Sequence, residues 1–288
     1  MMGAMTTAFD IGEAKIHFLG IARVRRDFDQ MVEIFPTVEK GELKEAVRAV
    51  QPDGGGKYLE WCFNSALLRI PGQTILVDTG FGFTAGGPGL GTVALLNECG
   101  VQPEQVGTVV ITHGHGDHIG GLTDEGTPSM PDARVVIAKA EFAFWMEGEA
   151  ESLFGAEGSS AQRSALSICR TQIECIDMDS RIAESGDTTI RAIPSPGHTP
   201  GHIGIEVLSR GQRLWLMVDT IHALFQLEHT DWSPRFDVDP ELARVTAKEL
   251  LGQAAKQQVP VHLYHFPFPG IGTIKETGPG FAFSPITL

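Results

Sequence analysis

Cysteine is scarce in this chain. The four present, Cys62, Cys99, Cys169 and Cys175, form no C-x-x-C pair and no disulfide-like framework. That excludes a disulfide-stapled scaffold and a zinc knuckle. Free thiols in a reducing compartment, the cytoplasm, are the expectation. Long apolar runs are also missing. No stretch reaches the roughly 18 apolar residues that a membrane helix needs, so no membrane span is read. Met1–Asp10 lacks a basic segment followed by an apolar one, so no signal peptide is read. Basic residues are in deficit, 22 Lys and Arg against 36 Asp and Glu, for a net charge of −14. This argues against a nucleic-acid partner, whose phosphates need a basic footprint, while leaving room for a local basic patch. Solubility is the plain reading of the acidic excess. Repeats and low-complexity tracts are absent.

What is there is an ordinary globular composition. The 288 residues are 42% hydrophobic and 20% charged, enough to bury a sizeable core, and one domain over residues 1–288 is expected. Strand-like runs alternate with helical ones. Strands are predicted at Lys15–Ile21, Asn64–Arg69, Thr74–Val77, Val109–Thr112, Arg134–Ala138, Thr188–Ile193, His202–Leu208, Arg213–Val218 and Pro260–Tyr264. Helices are predicted at Lys40–Val50, Thr92–Cys99, Glu141–Glu147 and Pro240–Gln257, the last with Leu242, Val245, Leu250 and Leu251 on its apolar side. Gln51–Lys57 and the glycine-rich Gly80–Gly91 read as loops, and Gly148–Gln172 as helix or loop. The pattern is that of a layered α/β protein with mixed sheets and outer helices.

Chemistry concentrates just past strand ends. The run Thr112-His113-Gly114-His115-Gly116-Asp117-His118 follows the apolar Val109-Val110-Ile111 and packs three imidazoles and a carboxylate into one turn. A tight glycine-rich turn lets such groups fan out into one cleft. Neutral imidazole and carboxylate suit zinc, and also iron, manganese or cobalt. Four such groups exceed what one catalytic metal usually takes from a single segment, so two ions are expected. Later segments supply matching groups. The loop Pro194–His202, with three prolines and two glycines, aims His198 inward. Asp219 ends the apolar Leu214–Val218, a costly place for a carboxylate unless it is paired or metal-bound. His265 and Asp78 end two further strands. His202 reads as a support for its loop.

The H-x-H-x-D-H run, the P-G-H-T-P-G-H loop, the strand-terminal Asp and the late His resemble the metallo-β-lactamase superfamily over roughly residues 60–272. The resemblance implies an αββα sandwich. It implies that His113, His115 and His198 hold one metal, that Asp117, His118 and His265 hold the other, and that Asp219 bridges them. It implies that Asp78 orients a ligand histidine, and that a metal-bridging hydroxide, oriented by Asp117, attacks the substrate. His115 favours the hydrolytic branch, since the redox di-iron branch carries Glu there. It also implies a homodimer.

Within the hydrolases, the acyl-homoserine lactonases similar to this chain carry a Tyr three residues after the bridging Asp. Here that place is His222, which reads as a proton donor. Trp145, the segment Arg235–Pro240 and the run His265–Gly270 resemble the methyl parathion hydrolase-like branch. Trp145 and Phe83 are the expected substrate-pocket aromatics. The reading is a binuclear hydrolase of apolar lactones or aryl and alkyl esters, with phosphotriesters as a further substrate class. The alternatives are a thioesterase resembling glyoxalase II, for which no Lys/Arg cluster is evident, and a non-catalytic metal-binding or sensing protein.

Overall fold

The computed structural model describes residues 5–84 and 89–288; residues 1–4 and 85–88, the latter inside the expected Gly80–Gly91 loop, lie outside the described residues. The first half of the chain builds β1 (Met5–Ile11), β2 (Ala14–Asp27), β3 (Tyr58–Ile70), β4 (Gln73–Val77), β5 (Thr108–Ile111), the two-residue ribbon β6 (Thr123–Asp124) and β7 (Thr127–Pro128), then β8 (Arg134–Ala138) and β9 (Ile173–Ile176). Seven of these form one sheet, in the order β1-β2-β3-β4-β5-β8-β9. The second half builds β10 (Arg181–Ser185), β11 (Thr188–Pro194), β12 (Ile203–Ser209), β13 (Gln212–Val218), β14 (Val261–Leu263), β15 (Ile271–Thr277) and β16 (Gly280–Pro285). They form a second sheet in sequence order.

The strand pattern explains why the two sheets face each other. Along β2, Ile16 and Phe18 point one way and Leu19 and Ile21 the other, and all four are buried. Ile16 and Phe18 join Val77, Val110, Ile205, Val207 and Leu216 in the core between the sheets. Leu19 and Ile21 join the layer beneath the outer helices. Parallel β5 is buried on both faces, as a central strand must be. Trp215 and Met217 of β13 point to the far side, under a third cluster. The result is an αββα sandwich, the metallo-β-lactamase fold. Burying each such side chain stabilises by about 1.5–3 kcal/mol.

The helices are α1 (Phe28–Ile34), α2 (Lys40–Val50), α3 (Thr92–Glu98), α4 (Gly116–Ile119), α5 (Lys139–Met146), α6 (Glu149–Ile168) and α7 (Pro240–Gln257). α6 resolves the ambiguous Gly148–Gln172 stretch, and it is kinked where Gly155 takes φ 76°. The apolar side of α7 is corrected. Leu250 and Leu251 are buried, with Thr246, Ala247 and Ala254, but Leu242 and Val245 are 40% and 52% exposed. At 100° per residue Val245 falls off the buried arc, and Leu242 sits in the first turn. β1, α1, β9, β10, β15 and β16 are elements that the sequence reading did not predict. For α1 a signal existed: Asp27 and Gln30 form a reciprocal capping box. Two cysteines, Cys62 and Cys169, are buried, and Cys99 and Cys175 are half-buried; all four are free thiols.

Candidate metal centre

Strand ends deliver the polar groups to one cleft. Asp78 follows β4, His113 and its neighbours follow β5, His198 lies between β11 and β12, Asp219 follows β13, and His265 follows β14. The β13 strand breaks its regular register between Leu216 and Val218. Val218, a β-branched residue, has φ 49°. Such a backbone costs about 1–3 kcal/mol and persists only where the surroundings impose it. It sits immediately before Asp219, at the point where the carboxylate leaves the sheet.

Three groups of side chains converge: His113, His115 and His198; Asp117, His118, Asp219 and His265; and His198, Asp219 and His222. Within each group the ligand-type atoms all lie within 4.8 Å of one another. Asp219 touches every group. Its Oδ2 lies 3.1 Å from His265 Nε2, 3.4 Å from His198 Nε2 and 3.7 Å from His113 Nε2, and its Oδ1 lies 3.2 Å from His118 Nε2.

The outer nitrogens of these rings decide whether cations fit. His118 Nδ1 donates to Asp78 Oδ2 at 2.9 Å, His198 Nδ1 to Asp237 Oδ1 at 2.8 Å, and His265 Nδ1 to the Cys62 carbonyl at 3.1 Å. Thr112 Oγ1 spends its own hydrogen on Asp78, at 2.8 Å, so it accepts from His113 Nδ1 at 3.2 Å. Each outer nitrogen therefore carries the proton, and each inner Nε2 presents a lone pair. These lone pairs face one another. His115 Nδ1 is 3.1 Å from His113 Nε2 and 2.9 Å from His198 Nε2, and one proton there would satisfy only one of the two. His118 Nε2 and Asp219 Oδ1 are buried with no hydrogen-bond partner. Converging lone pairs and orphaned buried acceptors are what divalent cations satisfy, so the residues fit two metal ions.

Electrostatics agree. Burial holds His113 and His198 well below the usual imidazole range, helped by neighbouring imidazoles, and lowers His115 to about 4. These rings are neutral, as ligands must be. His118 behaves oppositely: burial opposes its charge, yet Asp219, Asp117 and Asp78 outweigh burial and push it well above the usual range. The carboxylates around it demand positive charge.

Three supporting residues escaped the sequence reading. Glu141 is fully buried on α5. Its Oε1 accepts from Gly114 N at 2.8 Å and Trp145 Nε1 at 2.7 Å, and its Oε2 from Thr199 Oγ1 at 2.6 Å and Gly201 N at 3.1 Å. It thereby ties the loop bearing His113 and His115 to the loop bearing His198. Gly201 has to be glycine, since a Cβ would come 2.1 Å from Glu141 N. Asp237 anchors His198, and burial raises its carboxyl to about 6. Tyr264 Oη donates to the Asp117 carbonyl at 2.6 Å. A lone acid on a helix looks like a surface residue in sequence, so only the i+4 spacing of Glu141 and Trp145 hinted at the pair. His202, expected to support its loop, donates from Nδ1 to the Ser195 carbonyl at 2.8 Å.

A cavity of about 430 Å³ opens onto these groups, with His115, Asp117, Asp219, His222 and His265 on its floor. Its apolar wall includes Trp61, Phe63, Phe81, Phe154 and Phe236. The two expected pocket aromatics are corrected. Trp145 is 1% exposed, sits against Gly114 and spends its N–H on Glu141. Phe83 is buried in the core beneath the helices. Neither is among the described cavity-lining residues, and Phe154 and Phe81 stand there instead.

The family model of the metallo-beta-lactamase superfamily matches residues 64–262, about two thirds of the chain. The chain belongs to the metallo-beta-lactamase superfamily. The N-acyl homoserine lactonase AttM of Azorhizobium caulinodans is 29% identical over 139 residues, 48% of this chain and 49% of that protein. The match thus spans about half the length of that curated relative. Among solved structures, AidC, a dizinc quorum-quenching lactonase in complex with a product, superposes with a TM-score of 0.88 at 23% identity, covering 99% of this chain and 98% of AidC. The hydrolase AbOPH superposes with a TM-score of 0.86 at 22% identity, over 100% and 99% of the two chains. At these identities the structural likeness is one of fold.

Proposed function

We propose that this superfamily member is a binuclear metal-dependent hydrolase that opens apolar lactones and aryl or alkyl esters, with phosphotriesters as a further substrate class. The observation that carries the reading is the inward set of lone pairs, each fixed by a protonated outer nitrogen, on the floor of an apolar cavity. The lactonase relatives support it. On this reading residues 1–288 act as one domain, because both sheets contribute loops to the site. Zinc is the first choice of metal, since imidazole and carboxylate donors at tetrahedral reach suit it.

His113, His115 and His198 would hold one ion, and Asp117, His118 and His265 the other, with Asp219 shared. Ions held there supply Lewis acidity and lower the pKa of coordinated water toward about 7. The chain's own residues do the rest. Trp61, Phe63 and Phe236 hold the apolar part of the substrate and exclude water from the floor. Asp117, whose side chain is 20% exposed, faces the cavity and accepts a hydrogen bond from the attacking water. Asp78 and Asp237 keep His118 and His198 in the ligating tautomer. His222 offers its ring to the leaving oxygen. A second role for His222 rests on its place in the His198/Asp219/His222 group: it is also within reach of a metal.

The test is a substrate panel run on zinc-reconstituted protein: apolar lactones, aryl esters, a phosphotriester, a glutathione thioester, a β-lactam and a phosphodiester. Lactones or aryl esters should give the highest kcat/KM. A glutathione thioester or a phosphodiester as best substrate would contradict the reading.

A further inference from the structure

The cavity has a second chemistry at its far end. Two of its lining residues are Arg26 and Arg235. We infer that they form a cationic rim that binds an oxyanion at the distal end of the substrate, so that the preferred ester or lactone carries an apolar chain ending in a carboxylate or similar anion. This rests on the hydrolase reading above and narrows its substrate.

The strand geometry places the rim. On β2 and β3, Ala22 pairs with Phe63, Val24 with Trp61 and Arg26 with Leu59. Phe63 and Trp61 both lie against His265, with ring centroids 5.0 and 5.5 Å apart, so the two mark the metal end of the cavity. Arg26 therefore lies two to four residues further along the ladder, a separation of about 7–13 Å at roughly 3.3 Å per residue. A substrate whose reacting carbonyl sits on the metal floor passes an apolar wall before it reaches a guanidinium. Arg235 reaches the same rim from the other side. Its backbone N–H donates to the Ile34 carbonyl at 2.8 Å, and Ile34 also lines the cavity.

Partnering separates these arginines from their neighbours. Arg23 and Arg25, on the opposite face of β2, are both engaged: Arg23 pairs with Glu60 at 3.2 Å, and Arg25 stacks over Tyr58 at 3.8 Å. Among the described residues, Arg26 and Arg235 have no carboxylate within 4 Å and no side-chain hydrogen bond. Among the described residues lining the cavity, the only acids are Asp117 and Asp219, which belong to its metal floor. In a chain of net charge −14, two unpaired guanidiniums at one cavity mouth make a local reversal of sign. Guanidinium matches carboxylate and phosphate in charge and fork geometry. The acidic surface as a whole predicts the opposite, a preference for neutral substrates; local field at the rim overrides it within a Debye length of about 8–10 Å.

The experiment compares the p-nitrophenyl ester of octanoic acid with the p-nitrophenyl half-ester of octanedioic acid, which differ only in the distal carboxylate. For the zinc-loaded wild type the half-ester should have a KM about tenfold lower, with similar kcat. R26Q/R235Q should raise KM for the half-ester by about tenfold and leave the octanoate ester unchanged. Added salt should erode the wild-type preference. As a readout apart from turnover, octanedioate should quench the protein's tryptophan fluorescence, to which Trp61 in the cavity wall contributes, at lower concentration than octanoate in wild type, and R26Q/R235Q should remove that difference. Equal KM values for both esters in wild type, or an unchanged preference in R26Q/R235Q, would overturn the rim. Turnover of the octanoate ester by these same proteins shows that the hydrolase reading stands regardless; turnover of neither ester overturns both.

Discussion

His222 stands three residues past Asp219, with its ring parallel to that of His265 at 5.2 Å and 16°. Its backbone N–H donates to Gln226 Oε1 at 2.9 Å, which fixes the loop that carries it. Its Nε2 is buried without a hydrogen bond, 3.2 Å from Asp219 Oδ2. An imidazole so held can donate a proton to a leaving oxygen, the general-acid work that histidine does most often. His222→Ala should keep both metal ions and lower kcat by about 10²-fold for alkyl leaving groups. Activated nitrophenolates, which need no protonation, should lose much less. Loss of metal from the variant would make His222 a ligand. Equal losses for both leaving groups would make it a positioning group. The seven side chains proposed as ligands stand out in the sequence because their chemistry is concentrated in two glycine-rich loops and at strand ends, and the structure clusters them. Asp237 and Glu141 were not, because what they do depends on partners far away in the chain.

At the scale of elements, α5 acts as a clamp. Glu141 and Trp145 stand one turn apart on it and grip Gly114 from one loop and Thr199 and Gly201 from another. All four donors meet one carboxylate, and burial pushes that carboxyl up while the donors hold it down. A neutral amide of the same size keeps one acceptor oxygen and turns an N–H₂ toward donors. Each buried donor left unpaired costs about 1–3 kcal/mol. Glu141→Gln should therefore weaken zinc affinity about 10–100-fold through loss of loop alignment, with the ligands themselves intact. Competition against a chromophoric chelator measures this; an affinity equal to wild type would show the clamp to be dispensable. The elements most readily foreseen were the regular ones, α2 and α7 to the residue and the central strands nearly so. The peripheral strands β1, β10, β15 and β16 carry weaker alternation and more exposure, so their sequences look like loops. On α7 the apolar residues alone misled, since Thr246 and Ala247 are buried in place of Leu242 and Val245.

At the scale of the whole molecule, the core carries a pH liability outside the metal site. His262 of β14 is buried, stacks on Phe18 with centroids 4.7 Å apart, and is lowered by burial to about 3. Its folded value lies below its unfolded one, so folding favours the neutral ring. Above the unfolded value of about 6.5 both states are neutral and stability is complete. As pH falls from 6.5 toward about 3 the unfolded chain binds a proton that the folded one refuses. Stability then drops by up to about 1.4 kcal/mol per pH unit. Replacing His262 by Phe should flatten the decline of the denaturation midpoint between pH 6 and 4; a slope identical to wild type would place the acid sensitivity elsewhere. Seven side chains from both halves of the chain turn inward as one proposed ligand set for two ions. Elemental analysis of the purified protein after reconstitution and removal of free metal tests it most directly. Wild type should carry close to two transition-metal ions per chain, a number that falls in Asp219→Ala together with activity; one ion or none in the wild type would rule out the binuclear site.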